Sequence, residues 1–337
     1  MGIIFEKYRS GMNLGGWLSQ SSYKKAHIAE FITEEDVKKI ASWGLDHIRL
    51  PIDYPVLDDG GFEVIDKVVE WCKAAGLNLV LDLHKAPGYA FYDSADENVL
   101  FTDETVQQRF VSIWEEFARR YITEKDNVVF ELLNEIIDPH GDTWNKIARR
   151  AIESIHAIDA ERYILLGGPQ YNSAGMLHTL EIYENERVLY NFHFYEPMLV
   201  THQDAYWTPL KDTKIKQPYP GKIEGIEILK PIFSGNAHFR KMEADTYFDI
   251  DFIEKCLEPA IEFAKKNNKE LYCGEYGAID RADFASRVNY IRDMNALFEK
   301  HRMGRALWTY KRMDFPTIDE NGEPLSEELI KSLRRQQ

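Results

Sequence analysis

The stretch NVVFELLNE, residues 127–135, decides how this chain is read. From Val128 to Leu133 it is a run of β-branched, aromatic and aliphatic residues of strand length. It carries one acid, Glu131, and then stops on an amide and a carboxylate, Asn134 and Glu135. The same Asn-Glu pair recurs at 185–186 inside YENERV, ahead of an apolar run rather than behind one. Chance alone supplies such a pair about once in a chain of this length, so position has to separate the two. A strand that is apolar throughout and polar only at its C-terminal end is buried on both faces, as in a parallel sheet. In such folds the C-terminal ends of the strands carry the site.

Seven further runs bracket this one. GMNLGGW (11–17), DHIRLP (46–51) and LNLVLDLH (77–84) precede it. RYILLGG (162–168), RVLYNFHFY (187–195), KELYCGEYG (269–277) and GRALWTYK (304–311) follow. Helical patterns lie between them, among them FEVIDKVVEWCKAAG, ETVQQRFVSIWEEFARRY, DTWNKIARRAIESIHAID and DFIEKCLEPAIEFAKKN. Thr33 with Glu34, Glu35 and Asp36 behind it reads as a helix N-terminus, and Gly44 and Gly76 stand where helices stop. Strands alternating with helices imply parallel βαβ units. Eight of each in 337 residues predict an α/β fold, a (β/α)₈ barrel, as a single domain over 1–337. A doubly wound open sheet is the alternative, but no strand runs into a GxGxxG turn.

The expected loops are uneven. Those entering strands are short, whereas those leaving the third and sixth strands are long, 85–103 and 196–249. Elaboration on the strand C-termini puts the site on that face. Closing the strands there are Trp17, Arg49, His84, Asn134 with Glu135, His193 with Tyr195, Glu275, and Trp308. Singly, each has a plain structural reading. Glu135 could cap a helix or pair with Arg49, either histidine could be hydrogen-bonded within the core, and Trp308 could be packing. Jointly they fill a barrel core badly, because carboxylates are almost never fully buried without partners. A polar constellation around a cleft accounts for all of them.

Two carboxylates from the fourth and seventh strands face each other across an eight-stranded barrel. Glycoside hydrolysis needs such a pair, one protonated and one ionised, about 5 Å apart in retaining enzymes. Arg49 beside one would hold it ionised, while a drier surrounding would raise the pKa of the other. The remaining composition narrows the field. A formal net charge of −15 argues against a nucleic-acid partner. No apolar run is long enough for a membrane span. Three scattered cysteines without a CxxC give no metal or disulfide framework and suit a reducing compartment. With no basic-then-apolar leader in MGIIFEKYRSGMNLGG, the expected compartment is cytoplasmic; a secreted chain trimmed of its leader would read the same. Nothing calls for a cofactor. A metal-dependent barrel hydrolase is disfavoured because MNLGGW lacks a His-x-His and no HExxH occurs.

GMNLGGW, HIRLP, LDLH, ELLNE, NFHFYEP, GEYG and ALWTYK, in that order through most of the chain, resemble glycoside hydrolase family 5, in the clan A of retaining (β/α)₈ hydrolases. The resemblance implies that Glu135 is the general acid/base and Glu275 the nucleophile. It implies Asn134 on the 2-hydroxyl of the sugar being cleaved, Arg49 orienting Glu275, and His84, His193 and Tyr195 lining the reacting subsite over a Trp308 floor. FYEPMLVTHQDAYW (194–207) is similar to the loop after strand six in β-glucan-cleaving members, which adds His202, Gln203 and Trp207 as binding residues. Tyr276 stands where many members carry Phe. The implied partner is a β-linked oligo- or polysaccharide, a β-1,4-glucan or glucooligosaccharide first, with β-mannan and β-1,3-glucan as alternatives. A sugar-binding barrel without chemistry is the remaining rival, and the presence of both carboxylates speaks against it.

Overall fold

In the computed structural model, which describes residues 2–58, 60–94, 97–138, 141–233, 239 and 242–334, the eight apolar runs all form strands. They are β1 (Gly11–Asn13), β2 (His47–Asp53), β3 (Asn78–Lys85), β4 (Val128–Glu131), β5 (Ile164–Gly167), β6 (Val188–Phe194), β7 (Leu271–Tyr276) and β8 (Gly304–Leu307). All neighbours are parallel and the ring closes in the order β1-β8-β7-β6-β5-β4-β3-β2. The long helices are α1 (Glu34–Ser42), α2 (Gly61–Ala75), α3 (Glu104–Arg120), α4 (Asp142–Ile158), α5 (Ile250–Asn267) and α6 (Phe284–His301); a shorter α7 (Glu327–Leu333) ends the chain's regular structure. Thr33 and Asp36 form a reciprocal capping box on α1, and Gly76 ends α2 in a left-handed conformation at φ 72°. No described helix is long and apolar enough to cross a membrane.

Two expectations change. Eight helices were expected, but the crossover from β5 to β6 has only the turn Pro169–Asn172 and a 3₁₀ segment, Ala174–Thr179. The sequence there, PQYNSAGMLHTL, has no amphipathic period long enough to continue a helix. The strands also stop short of the quoted runs. β4 ends at Glu131, and residues 132–135 leave the regular ladder while Leu132 N–H still reaches Leu165 O and Asn134 N–H reaches Leu83 O.

The barrel interior is graded. At its lower end a short helix, Ile3–Lys7, places Ile4 and leads to Tyr8, which pack with Val80, Val129, Leu165, Leu189, Tyr272 and Ala306 as an apolar plug. Higher up the inward side chains become polar: Asn13, Arg49, Asp82, Glu131 and Asn191, all 0 % exposed. Outside, the helices pack on the barrel through one continuous apolar cluster. The described part of the long segment after β6 joins that cluster through Leu199, Leu210, Tyr219, Ile226, Leu229 and Phe248. A two-residue hairpin pairing Gly221–Lys222 with Tyr247–Phe248 clips its two arms together.

Candidate active site

One guanidinium organises the barrel mouth. Arg49, buried on β2, donates through Nε and Nη2 to both oxygens of Glu131 at 2.7 Å each. Nη2 also reaches Asn134 Oδ1 at 3.0 Å and Asp82 Oδ2 at 3.0 Å. Nη1 donates to Asn13 Oδ1 at 2.9 Å and to Glu275 Oε1 at 2.8 Å. Burial pushes the carboxyls of Glu131 and Asp82 up to about 7, against the pull of Arg49. Glu131 has no exposure to the cleft: its task is to fix Arg49, and Asn191 Nδ2 holds its Oε1 from the other side at 2.7 Å.

Glu275 hangs from this frame on β7. Arg49 holds one oxygen and the Tyr195 hydroxyl donates to the other at 3.0 Å. Its placement depends on a bulge. In the β6–β7 ladder Phe192 faces Cys273 but His193 faces Glu275, so Gly274 is an extra residue that turns Glu275 into the mouth. Gly274 N–H is tied to Asn191 Oδ1 at 3.0 Å, and its carbonyl accepts from Asn13 Nδ2 at 2.9 Å. A side chain there would lie 2.9 Å from Asn191 Oδ1 and 3.0 Å from His193 Nε2, which is why the position is a glycine.

Glu135 approaches from β4 by a different route. It sits at φ +45°, a left-handed conformation that costs a non-glycine residue of order 1–3 kcal/mol and marks functional sites. Tyr89, from the loop after β3, secures the strained peptide: its hydroxyl donates to Glu135 O at 2.5 Å and accepts from Ile137 N–H at 3.0 Å. His193 Nδ1 lies 3.1 Å from Glu135 Oε1 and 3.7 Å from Glu275 Oε2. Burial holds His193 well below its ordinary pKa, so the ring is neutral and carries one proton. Its Nε2 is buried with no partner among the described residues. The tautomer with the proton on Nδ1, donating to Glu135, leaves only a lone pair unpaired and is the cheaper arrangement. One ligand-capable atom from each of Glu135, His193 and Glu275 lies within 4.8 Å of the others. That spacing would also suit a cation, although His193 is already engaged with Glu135.

The two carboxyls therefore live in different surroundings. Burial raises both; at Glu135 the charge of Glu275 adds to it and carries the group well above the carboxylate range, whereas at Glu275 Arg49 works against it. Glu275 has a donor on each oxygen and Glu135, among the described residues, has only His193, an arrangement that favours the negative charge at Glu275 and the proton at Glu135.

The remaining sequence expectations divide. His84 lines the mouth beside this pair: its Nδ1 hydrogen-bonds Asp82 Oδ2 at 2.7 Å, and burial lowers its pKa to about 4. The Trp308 ring stacks on it at 5.8 Å and 5°. Gly15 gives that indole room, since a side chain there would fall 2.7 Å from Trp308 Cη2. Asn134 is fully buried with Nδ2 unpaired among the described residues, close to Arg49 and one residue from Glu135. Trp207 is half exposed beside Tyr206 on the long loop. His202, partly exposed, packs edge-on to Tyr195 at 5.0 Å and to Trp207 at 6.0 Å.

Two expected binding residues are not brought to the site. Trp17 is 1 % exposed and donates its indole N–H to Ile28 O at 2.8 Å. Gly16 turns at φ 74°, and the Trp17 indole is tied to the segment 25–30 through Ile28. Gln203 is buried and clasps the backbone of Gln217, donating to its carbonyl at 2.7 Å and accepting from its N–H at 3.1 Å. It holds the long loop closed on itself. Conversely, Asp82, Asn13, Asn191 and Tyr89 were missed. Asp82 and Asn191 had a signal, because each stands two residues before a strand-end histidine, His84 or His193, and shares its face; Asn13 and Tyr89 had none, being identified only by the partners the fold gives them.

A closed parallel barrel bearing an acid and a carboxylate across its C-terminal mouth, in unequal surroundings, defines a barrel hydrolase of glycosidic bonds. Residues 9–314 match the model of the cellulase family, glycosyl hydrolase family 5, and the chain belongs to that family. It is 40% identical over 344 residues to Endoglucanase C of Acetivibrio thermocellus, covering 97% of this chain and 98% of that protein. It is 40% identical over 303 residues to Cellodextrinase A of Ruminococcus flavefaciens, covering 88% and 83%. Among solved structures, endoglucanase Cel5A from the hyperthermophilic Thermotoga maritima superposes with a TM-score of 0.76 at 24% identity over 99% of this chain and 100% of that one, a likeness of fold. The chain is thus a glycoside hydrolase, endoglucanase-like in its relatives.

Proposed function

We propose that this enzyme cleaves β-1,4-linked glucan or glucooligosaccharides with retention of configuration, Glu135 acting as general acid and then base and Glu275 as nucleophile. The observation that carries the reading is the asymmetric carboxyl pair, one oxygen of Glu135 and one of Glu275 lying within 4.8 Å of each other and both beside His193. Inverting enzymes need about 6.5–9.5 Å to admit a water between the two groups, and retaining ones about 5 Å. In the first step Glu275 attacks the anomeric carbon while Glu135 gives its proton to the departing oxygen. In the second Glu135, now ionised, takes a proton from water, which displaces Glu275 from the sugar. His193 holds Oε1 of Glu135, leaving its other oxygen to carry the proton. Arg49 and Tyr195 keep Glu275 charged and aimed. His84, Asn134 and the Trp308 face are placed to receive the hydroxyls and the apolar face of the sugar being cleaved, and Trp207 a sugar further out.

The substrate class rests on the 40% identity to an endoglucanase and a cellodextrinase over most of each chain. The test presents cello-, manno- and laminarioligosaccharides side by side and follows the anomer released first by proton NMR. Turnover of the cello series with a β product is expected. Activity confined to mannosides overturns the glucan assignment, and an α product overturns the double displacement.

A further inference from the structure

On the mechanism above, Glu135 works in two ionisation states. It gives a proton in the first step and takes one in the second, so its carboxyl must keep its place while its charge changes. Its backbone works against that, because φ +45° is strained for a non-glycine residue and any relaxation would swing the side chain. The regular strand has already ended: β4 stops at Glu131, and the backbone bond just ahead of the acid runs from Asn134 N–H to Leu83 O at 3.2 Å.

The carbonyl of the acid itself is held by a side chain. The Tyr89 hydroxyl donates to Glu135 O at 2.5 Å and accepts from Ile137 N–H at 3.0 Å, clasping the two peptides on either side of Ile136. That hydroxyl is in turn fixed within its own loop. Ala86 and Tyr89 exchange both backbone hydrogen bonds at 3.0 Å, and Gly88 O accepts from Leu100 N–H at 3.0 Å. The Tyr89 ring is buried and meets Phe101 edge-on at 5.5 Å. Burial, with the neighbouring Glu135 carboxyl adding to it, raises the phenol well above its ordinary pKa, so it remains a donor. The same loop also reaches the other wall of the mouth, where Phe91 meets the His84 ring edge-on at 5.6 Å. A change that merely loosened the loop would therefore disturb His84 as well as Glu135.

We propose that Tyr89 is a positioning residue for the acid/base: by clamping the backbone on both sides of Ile136 it sets the Glu135 carboxyl, and it is needed in the steps where a proton moves and not where none does. The proposal rests on the roles proposed for Glu135 and Glu275, and it gives the long loop after β3 a part in proton transfer.

The experiment replaces Tyr89 by Phe, which removes the hydroxyl and keeps the ring, and compares two substrates. With cellotetraose the glycosidic C–O bond breaks as Glu135 gives its proton to the departing oxygen. With β-cellobiosyl fluoride the C–F bond breaks and fluoride leaves as the anion, without a proton; Glu275 supplies the electron pair of the new bond in both. Tyr89→Phe is expected to lower kcat/KM on cellotetraose about ten- to a hundredfold, as for a misplaced reacting group, and on the fluoride by no more than about twofold. Retained turnover of the fluoride shows that the barrel, His84 and Glu275 are intact. Release of the sugar from Glu275 by water needs Glu135 to take a proton, whereas azide attacks the anomeric carbon with none to lose. Added azide should therefore raise kcat of the variant on the fluoride and leave that of the wild type as it was. Tyr89→Phe added to Glu135→Ala should cost nothing further on cellotetraose. Equal losses on the two substrates, or additive losses in the double variant, mean that the hydroxyl only supports the fold and overturn the proposal. A Glu135→Ala enzyme slow on both substrates alike overturns the acid assignment, and the positioning role with it. A wild type that turns over mannotetraose and not cellotetraose overturns the glucan reading alone, and the same comparison is then read with β-mannobiosyl fluoride.

Discussion

At Glu135 three residue-scale facts meet: a left-handed backbone, a buried tyrosine holding its carbonyl, and a neutral histidine on one carboxyl oxygen. They favour a protonated carboxyl opposite a charged one, and the two groups respond differently to replacement. Glu135→Ala is expected to lower kcat on cellooligosaccharides at least about 10³-fold while leaving the fluoride substrate much less affected, since fluoride departs without a proton. Glu275→Ala should be inactive on both, because the bond it forms is common to them. Steady-state rates on the two substrates check this, and a Glu135→Ala enzyme slow on both alike would reassign the acid. The pH profile follows from the same environments. On the proposed roles activity needs Glu275 ionised and Glu135 protonated, so kcat/KM is expected to be bell-shaped. Because burial raises Glu275 above its ordinary 4.5, the acidic limb sits above that value; because Glu135 is raised further, activity persists to a higher pH before the basic limb removes its proton. The two apparent values belong to the pair. A profile with its acidic limb below pH 4 would contradict this electrostatic account.

Among the elements, two glycines show how differently the same residue can be required. Gly76 closes α2 at φ 72° with nothing within 4 Å of where a side chain would go. Gly76→Ala should therefore cost about 1 kcal/mol in denaturant unfolding, through backbone conformation alone, and leave turnover as it was. Gly274 has no such conformational demand, but a methyl group there would press on Asn191 and His193. Gly274→Ala is expected to shift the bulge that aims Glu275 and to lower kcat by about a hundredfold, the usual consequence of misplacing a reacting group by an ångström. A Gly274→Ala enzyme with normal kcat would show that the bulge tolerates the methyl and that Glu275 is aimed by Arg49 and Tyr195 alone. Both glycines were visible in the sequence; only the first could be interpreted there, because a helix stop is a local signal and a cross-strand clash is not.

For the molecule as a whole, closure of the ring is the central constraint. β1 pairs with both β2 and β8, and α7 seals that seam: Leu329, Ile330 and Leu333 are buried in the main cluster, and Ser10 Oγ, just ahead of β1, donates to Leu333 O at 2.6 Å. The first and last parts of the chain thus stabilise one another across almost its whole length. Leu329→Ala and Leu333→Ala should each destabilise by about 2–5 kcal/mol, measured by chemical denaturation, since each leaves a cavity in a closed core. They should also lower the activity midpoint on heating together with the unfolding midpoint, because the Trp308 wall follows β8 directly. Loss of activity well before unfolding would mean that the seam opens locally instead of with the barrel.

How much of this was legible beforehand depends on the range of the forces involved. Strand and helix periods, the caps at Thr33 and Gly76, and the polar residues that end the strands are written in neighbouring residues, and through them the sequence by itself determined the barrel, its working face and the Glu135–Glu275 pair. The absent helix after β5 is legible too, in the missing amphipathic period of 169–180. Whether an aromatic or an amide at a strand end faces the cleft is a different kind of question. Trp17 and Gln203 look like Trp207 and Asn134 in one dimension; the carbonyl of Ile28 ties down the first, and the backbone of Gln217 occupies the second. Likewise Asp82 and Asn13 acquire a role only because β1 and β3 bring them to one guanidinium, and Asn191 because β6 brings it to the Glu131 carboxylate that holds that guanidinium. The tertiary structure alone decided which carboxyl is favoured to keep its proton, because burial and donor count are properties of the assembled mouth and of no segment within it.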